Sequence, residues 1–200
     1  MIETARQLFL AKGYEATGVA EILRECGVNS GSLYYFFKTK EDLLLAVLDL
    51  YLEKLRPWVV DPIFERVSDP IERVFALLDG YRMMLTMTGC KQGCPIGNLA
   101  IEMSEKSEGA RDKIAQNFVN WCKVIEECLH AAEARLPESV NRSQLATFIL
   151  TVMEGAVMQA RAFRSLAPYD QSISILKQLF DRLLMEKSGI GNTAEAKTPL

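Results

Sequence analysis

Hydrophobic residues along this chain recur at the three- and four-residue spacing of amphipathic helices. Ile2, Ala5 and Phe9 share one face of a predicted first helix, and Gly13 is the kind of residue that ends one. We find no segment with the alternation of apolar and polar residues, bounded by turn residues, that predicts a strand. The pattern therefore predicts an all-α protein with about nine helices.

Two short helices follow the first one. Apolar residues at positions 19, 22, 23 and 26 define a second helix that Gly27 ends. A third helix starts near Asn29 or Ser30, either of which can cap it, and runs to about Phe37. Two short helices joined by a tight turn can present the second of them to the major groove of DNA. Many helical hairpins share this spacing, so the spacing alone is a weak indication of function.

Capping residues and prolines indicate where the remaining helices begin and end. Thr39 and Asp42 form a capping box that opens a long helix, which Pro57 breaks or kinks. Later helices are predicted at about 70–87, 95–103, from 107 to before Pro137, 142–160 and 168–187. The last two helices are apolar over a broad surface, which predicts a homodimer joined through a four-helix interface. Residues 188–200 are polar and are predicted to form a flexible tail.

Composition and charge limit the alternatives. The chain has 200 residues, of which 49% are hydrophobic, enough for a sizeable core. A net charge of −3 gives no overall basic surface of the kind that usually accompanies nucleic-acid binding, although segment 28–40 holds two lysines and no acid. The five cysteines are odd in number, and neither a signal peptide nor a membrane-spanning segment is expected. We therefore expect a cytoplasmic protein with reduced thiols.

The amino-terminal region resembles the TetR family of one-component repressors. The resemblance rests on ARQLF at 5–9, GYEAT at 13–17, GVN at 27–29 and above all GSLYYFFKTKEDL at 31–43. It is nearly continuous over residues 5–47, and a segment at 89–100 is similar to one found in a subgroup of the family. It implies a three-helix DNA-binding domain with a helix-turn-helix at 1–46, a helical effector-binding and dimerisation domain at 47–187, and a tail at 188–200.

The resemblance also implies what the protein does. It predicts a regulator, in most cases a repressor, that binds a palindromic operator in double-stranded DNA as a dimer and is released by a small-molecule effector. In the family, the fourth helix, here about 40–56, transmits effector binding by changing the separation of the two recognition helices. Such a protein is not an enzyme and needs no cofactor.

The residues expected to contact DNA lie on and around the predicted third helix. Small polar residues at its start can approach base edges, and the free amides there can face phosphate. Ser32 and Tyr34 are expected to contact bases, whereas Tyr35 and the two lysines position the helix on phosphates. Thr17 lies where the family usually has a phosphate-binding residue that caps the second helix. The full predicted set is Thr17, Asn29, Ser30, Gly31, Ser32, Tyr34, Tyr35, Lys38 and Lys40.

Three residues depart from the family pattern. Gly18 stands where a second threonine is common, Ala20 where a basic residue often occurs, and Phe36 where histidine is frequent. We also expect no basic arm ahead of the first helix, which begins near residue 2. These departures keep open the alternative of a helical dimerisation or ligand-binding protein without operator binding.

The predicted effector site consists of methionine and aromatic residues on the later helices. Methionine adapts to varied apolar ligands, so we expect an apolar or aromatic effector, although packing in the core explains the same residues. The predicted residues are Met83, Met84, Met87, Met103, Phe118, Trp121 and Met153.

Cysteine chemistry offers a further alternative for sensing. Cys94 precedes Pro95, which places its sulfur at a predicted helix amino terminus, where the helix dipole favours the thiolate. Cys94 is therefore a candidate sensor of oxidants or electrophiles, with Cys90 as a candidate resolving partner. A small buried residue in a glycine-rich bend is the alternative explanation. The spacing of Cys90 and Cys94 and the single His130 do not fit a metal site, and none is predicted.

Overall fold

The computed structural model describes residues 1–28 and 35–194, with side chains described as far as residue 186. The regular elements within these residues are all helices, which confirms the predicted all-α class. Contacts divide the chain into two compact units, a first unit of 1–62 with 91–120 and a second unit of 63–90 with 121 onward. The domain boundary predicted after residue 46 does not follow this division and stays a prediction.

The helices at the amino-terminal end begin and end at the predicted residues. Helix α1 spans Ile2–Lys12 and α2 spans Val19–Cys26. Gly13 ends α1 with φ 91° and ψ 163°, a backbone conformation that is essentially confined to glycine. Gly27 ends α2 in the left-handed region with φ 67°. The predicted roles of both glycines are confirmed.

The long helix α3 spans Lys40–Leu55 and starts with the predicted capping box. The Asp42 amide donates to Thr39 Oγ1 at 3.0 Å, and the Thr39 amide donates to Asp42 Oδ2 at 2.9 Å. The helix then continues into a π-helical turn, Arg56–Val60, with Pro57 at its start. Pro57 was predicted to break or kink the helix; it does not end the helix, and it lies in a local change from α- to π-helix.

The three helices α1, α2 and α3 share a core. Their inner faces carry side chains that are fully buried, among them Ala5, Ile22, Leu43, Leu44 and Val47. The helix predicted between α2 and α3 lies mostly outside the described residues, although Tyr35 and Phe36 are helical. Because α2 is too short to be stable alone, its position depends on this shared core.

Apart from the first of them, at Asp61–Arg66, which the sequence pattern did not predict, the remaining helices begin within one residue of their predicted starts. They are α4 Asp61–Arg66, α5 Pro70–Met87, α6 Pro95–Met103, α7 Glu108–Ala131, a 3-10 turn Glu133–Arg135, α8 Arg142–Phe163 and α9 Ala167–Ala194. Asp69 caps α5 by accepting from the amides of Ile71 and Glu72, and Asn141 caps α8. Helix α9 continues to Ala194, so its predicted end at about Lys187 is wrong.

The second unit is built around the packing of α8 on α9. Ile149 and Ala160 of α8 and Tyr169 and Phe180 of α9 have almost no exposed surface. The buried Tyr169 hydroxyl donates to the Leu78 carbonyl at 2.7 Å, which ties α9 to α5. Across residues 1–28 and 35–194, the helices are too short or too polar to cross a membrane.

The conformation of Gly13 gives a first prediction. Replacing Gly13 with Ala should lower the free energy of unfolding by roughly 1 to 3 kcal/mol, because a side chain disfavours this backbone conformation. The added Cβ would also lie 2.5 Å from Glu102 Oε1. Urea denaturation measures the loss. Gly80→Ala is the matched control, because Gly80 lies inside α5 without a positive φ and has open space around its Cβ position. Equal losses in the two variants would contradict this account.

Candidate nucleic-acid interface and effector cavity

Two aromatic rings and a lysine are exposed just ahead of α3. Tyr35 is 81% exposed and Phe36 is 69% exposed, and their rings meet edge to face with centroids 4.8 Å apart. Lys38 is exposed as well. Large apolar rings at the surface of a small helical domain are typical of a binding surface. The predicted contacts Asn29, Ser30, Gly31, Ser32 and Tyr34 lie outside the described residues and stay predictions.

Thr17 does not have the environment that was predicted for it. Its side chain has 0% exposed surface, and its hydroxyl donates to the Gly13 carbonyl at 2.7 Å. The residue at the amino-terminal cap of α2 is Gly18, which has no side chain to donate or accept. The predicted capping role of Thr17 is therefore wrong, because the hydroxyl is used to close the turn between α1 and α2.

The side chain of Lys40 makes contacts within the first unit. Its Nζ donates to the Tyr14 carbonyl at 2.5 Å and lies 4.0 Å from the centroid of the Tyr14 ring. Burial lowers the pKa of Lys40, and the nearby carboxylates of Glu15 and Glu102 oppose that shift. The half-buried ammonium group fastens the α1–α2 turn to the start of α3. A phosphate contact by Lys40 stays a prediction.

Acidic and basic side chains from α6 and the residues after it reach the same turn. Glu102 Oε2 accepts the Glu15 amide at 3.1 Å, and Lys106 Nζ lies 2.6 Å from Glu15 Oε1. The hydrogen bond from Lys106 lowers the pKa of the Glu15 carboxyl group. Sequence reasoning missed Glu102 and Lys106, because the pattern around a charged residue carries no signal of a contact with a residue 87 or 91 positions away.

A small apolar cavity lies within the second unit. Its volume is about 10 Å³, the space that one water molecule needs. The rings of Tyr81 and Trp121 meet at its wall with centroids 5.7 Å apart. The lining residues are Val74, Leu77, Leu78, Tyr81, Trp121, Ile125, Ile149, Leu150 and Met153. An organic molecule therefore fits only if these side chains move apart.

The cavity includes some of the predicted effector residues and not others. Trp121 and Met153 line it, and their contact with an effector stays a prediction. Met83 and Met87 are 65% and 79% exposed, so their predicted place around a cavity of this chain is wrong. Both lie on the outer face of α5, whereas Leu77 and Leu78 turn inward. The half-buried Met84 is outside the lining, and Met103 and Phe118 belong to the first unit.

The two candidate sensor cysteines are buried. Cys94 caps α6 as predicted, with its sulfur accepting the Gly97 amide at 3.5 Å, but its exposed surface is only 2%. Cys90 is 4% exposed and has a positive φ of 54°. Burial protects both sulfurs from attack in this conformation. A sensing role of Cys94 stays a prediction.

Comparison with known proteins shows the family to which the chain belongs. Residues 1–47 match the family of bacterial regulatory proteins, tetR family, and residues 70–176 match the tetracyclin repressor-like carboxy-terminal domain. The transcriptional regulator LmrA of Bacillus subtilis is 30% identical over 186 residues, which cover 91% of this chain and 95% of LmrA.

Two further relatives cover almost the whole chain. The transcriptional repressor DhaR of a Mycobacterium species is 28% identical over 196 residues, covering 96% of this chain and 94% of DhaR. The crystal structure of the regulatory protein TetR from Rhodobacter sphaeroides matches with a TM-score of 0.78 and 25% identity, covering 90% of this chain and 95% of that one. On these matches, the chain belongs to the TetR family of transcriptional regulators.

Proposed function

We propose that this regulator is a homodimeric repressor that binds a palindromic operator in double-stranded DNA and is released by a small apolar or aromatic effector. The observation that carries the proposal is the exposed group of Tyr35, Phe36 and Lys38 at the end of the predicted recognition helix. These side chains lie outside the core of the first unit, so they can contact the phosphates and base edges of a duplex. One relative, DhaR, is itself named a repressor.

Dimerisation through α8 and α9 is supported by the outer faces of these helices. On α8, Phe148, Thr151, Gly155 and Met158 recur at spacings of three, four and three residues and share one face. Phe148 and Met158 are exposed, and a Cβ added at Gly155 would meet nothing within 4 Å. Exposed apolar residues around a small residue suit close contact with another helix.

The outer face of α9 repeats the same spacing. Ile175, Gln178, Arg182 and Met185 again follow one another at three, four and three residues, and all four are exposed. The same pattern on two adjacent helices suits a symmetric interface, in which each face meets its copy. A dimer is also what a palindromic operator requires, because each half-site takes one recognition helix.

The effector is proposed to enter the cavity of the second unit. The lining is aliphatic and aromatic, so a neutral and largely apolar molecule would avoid the cost of burying a charge there. Tyr81 and Trp121 offer ring faces for stacking with an aromatic ligand. The small volume means that binding must displace side chains, and this displacement gives the ligand a means of changing the conformation.

The DNA-binding surface is tested with a duplex selected by the protein from a random pool. Lys38→Ala should weaken binding to every duplex and make the logarithm of affinity fall less steeply with salt, by about one unit of slope. Fluorescence anisotropy at several salt concentrations measures both quantities. Sedimentation of the complex should give two chains per duplex.

Lys54→Ala is the matched control for this experiment. It removes the same charge near the other end of α3, about 20 Å from Lys40 along the helix, and should leave the slope unchanged. Equal slopes for wild type and Lys38→Ala would refute the assigned surface. Failure of the wild type to select any sequence would refute operator binding itself.

The effector cavity is tested through tryptophan fluorescence. The chain has two tryptophans, so Trp58→Phe leaves Trp121 as the single reporter. Neutral compounds with one or two fused aromatic rings should change its emission in a saturable way, and those that bind should also weaken binding to the selected duplex. A response confined to charged compounds, or compounds that bind without affecting DNA affinity, would contradict the proposal.

A further inference from the structure

The turn between α1 and α2 is held by side chains from two other helices. Lys40, the first residue of α3, binds the Tyr14 carbonyl, and Glu102, in the last turn of α6, accepts the Glu15 amide. The Glu102 carboxylate also lies directly against Gly13, since a Cβ there would be 2.5 Å from Glu102 Oε1. Three consecutive residues of this turn, Gly13 to Glu15, are therefore contacted by side chains of α3 and α6.

The contact with Glu102 depends on the shape of the turn. Gly13 leaves room for the carboxylate because it has no side chain, and its unusual φ and ψ set the direction in which the chain enters residues 14–17. Lys106 holds the side chain of the same Glu15 whose amide Glu102 binds. The backbone and the side chain of Glu15 are thus both anchored to α6 and the residues after it.

We propose that Glu102 is a positioning residue for DNA binding, whose carboxylate fixes the α1–α2 turn and thereby the orientation of α2. The inference rests on the proposed operator binding and deepens it. Glu102 does not itself touch DNA in this account, because a carboxylate is repelled by phosphate. Its effect on DNA binding passes through the backbone of residues 13–17.

Two substitutions distinguish the effect of the length of the Glu102 side chain from the effect of its charge. Glu102→Asp keeps the negative charge but is one methylene shorter, so its carboxylate cannot accept the Glu15 amide without movement of the helix. Glu102→Gln loses the charge but keeps an oxygen at the same distance, which can accept the same amide. Glu105→Asp is the matched control, because Glu105 is exposed and lies one turn further along the chain.

The measured quantity is the ratio of affinities for the selected duplex and for a scrambled duplex of equal length, together with the dependence of each affinity on salt. In Glu102→Asp this ratio should be lower by on the order of tenfold, as expected when a hydrogen bond to a charged group is lost. Its affinity for the scrambled duplex and its salt slope should not change. Glu102→Gln keeps a weaker, neutral hydrogen bond, so the ratio should fall by only about threefold. Glu105→Asp should match wild type.

Each outcome decides between the alternatives. A role confined to stability would lower the melting temperature of Glu102→Asp while leaving the affinity ratio intact, and this result would overturn the inference. Glu102→Gln with the same defect as Glu102→Asp would also overturn it, since the charge and not the accepted hydrogen bond would then matter. A wild type without preference for any duplex would refute the proposed function, and the inference with it.

Discussion

The fixed conformation of the turn between α1 and α2 is the constraint on which the rest of the first unit depends. Helix α2 has only two turns and cannot hold its direction by its own hydrogen bonds. Its direction comes from the core shared with α1 and α3 and from the turn that precedes it. In that turn, Gly13 supplies a backbone conformation that other residues avoid, Thr17 closes the loop onto Gly13, and Lys40 and Glu102 hold the backbone between them.

The α1–α2 turn belongs to the first unit and the cavity to the second. Glu102 lies in α6, which follows α5 after a short connection, and α5 contributes Leu77, Leu78 and Tyr81 to the cavity wall. A ligand that enters a space of about 10 Å³ has to move these side chains. The backbone at the start of α6 has a restricted conformation, because Cys94 caps the helix and Pro95 is its first residue.

Local features of the fold were predictable from the sequence, whereas features that depend on distant contacts were not. Gly13, Gly27, Thr39 with Asp42, Asp69 and Asn141 act within a few residues, so each helix end followed from its own neighbourhood. Thr17, Met83 and Met87 were misplaced because the sequence pattern does not say which way a side chain turns once helices pack. The family resemblance indicated the DNA-binding surface, but only the structure brings Glu102 to Glu15, 87 positions away.

Native-state hydrogen exchange of the Glu15 amide tests this account most directly. The Glu15 amide donates to Glu102 at the exposed surface of the first unit, so it should exchange more slowly than an unbonded loop amide, and Glu102→Asp should abolish that protection. The contrary result is fast exchange of the Glu15 amide, at the rate of a loose surface loop, while the amides of α1 and α3 stay protected. That result would mean that the turn is not held and that the orientation of α2 has another origin.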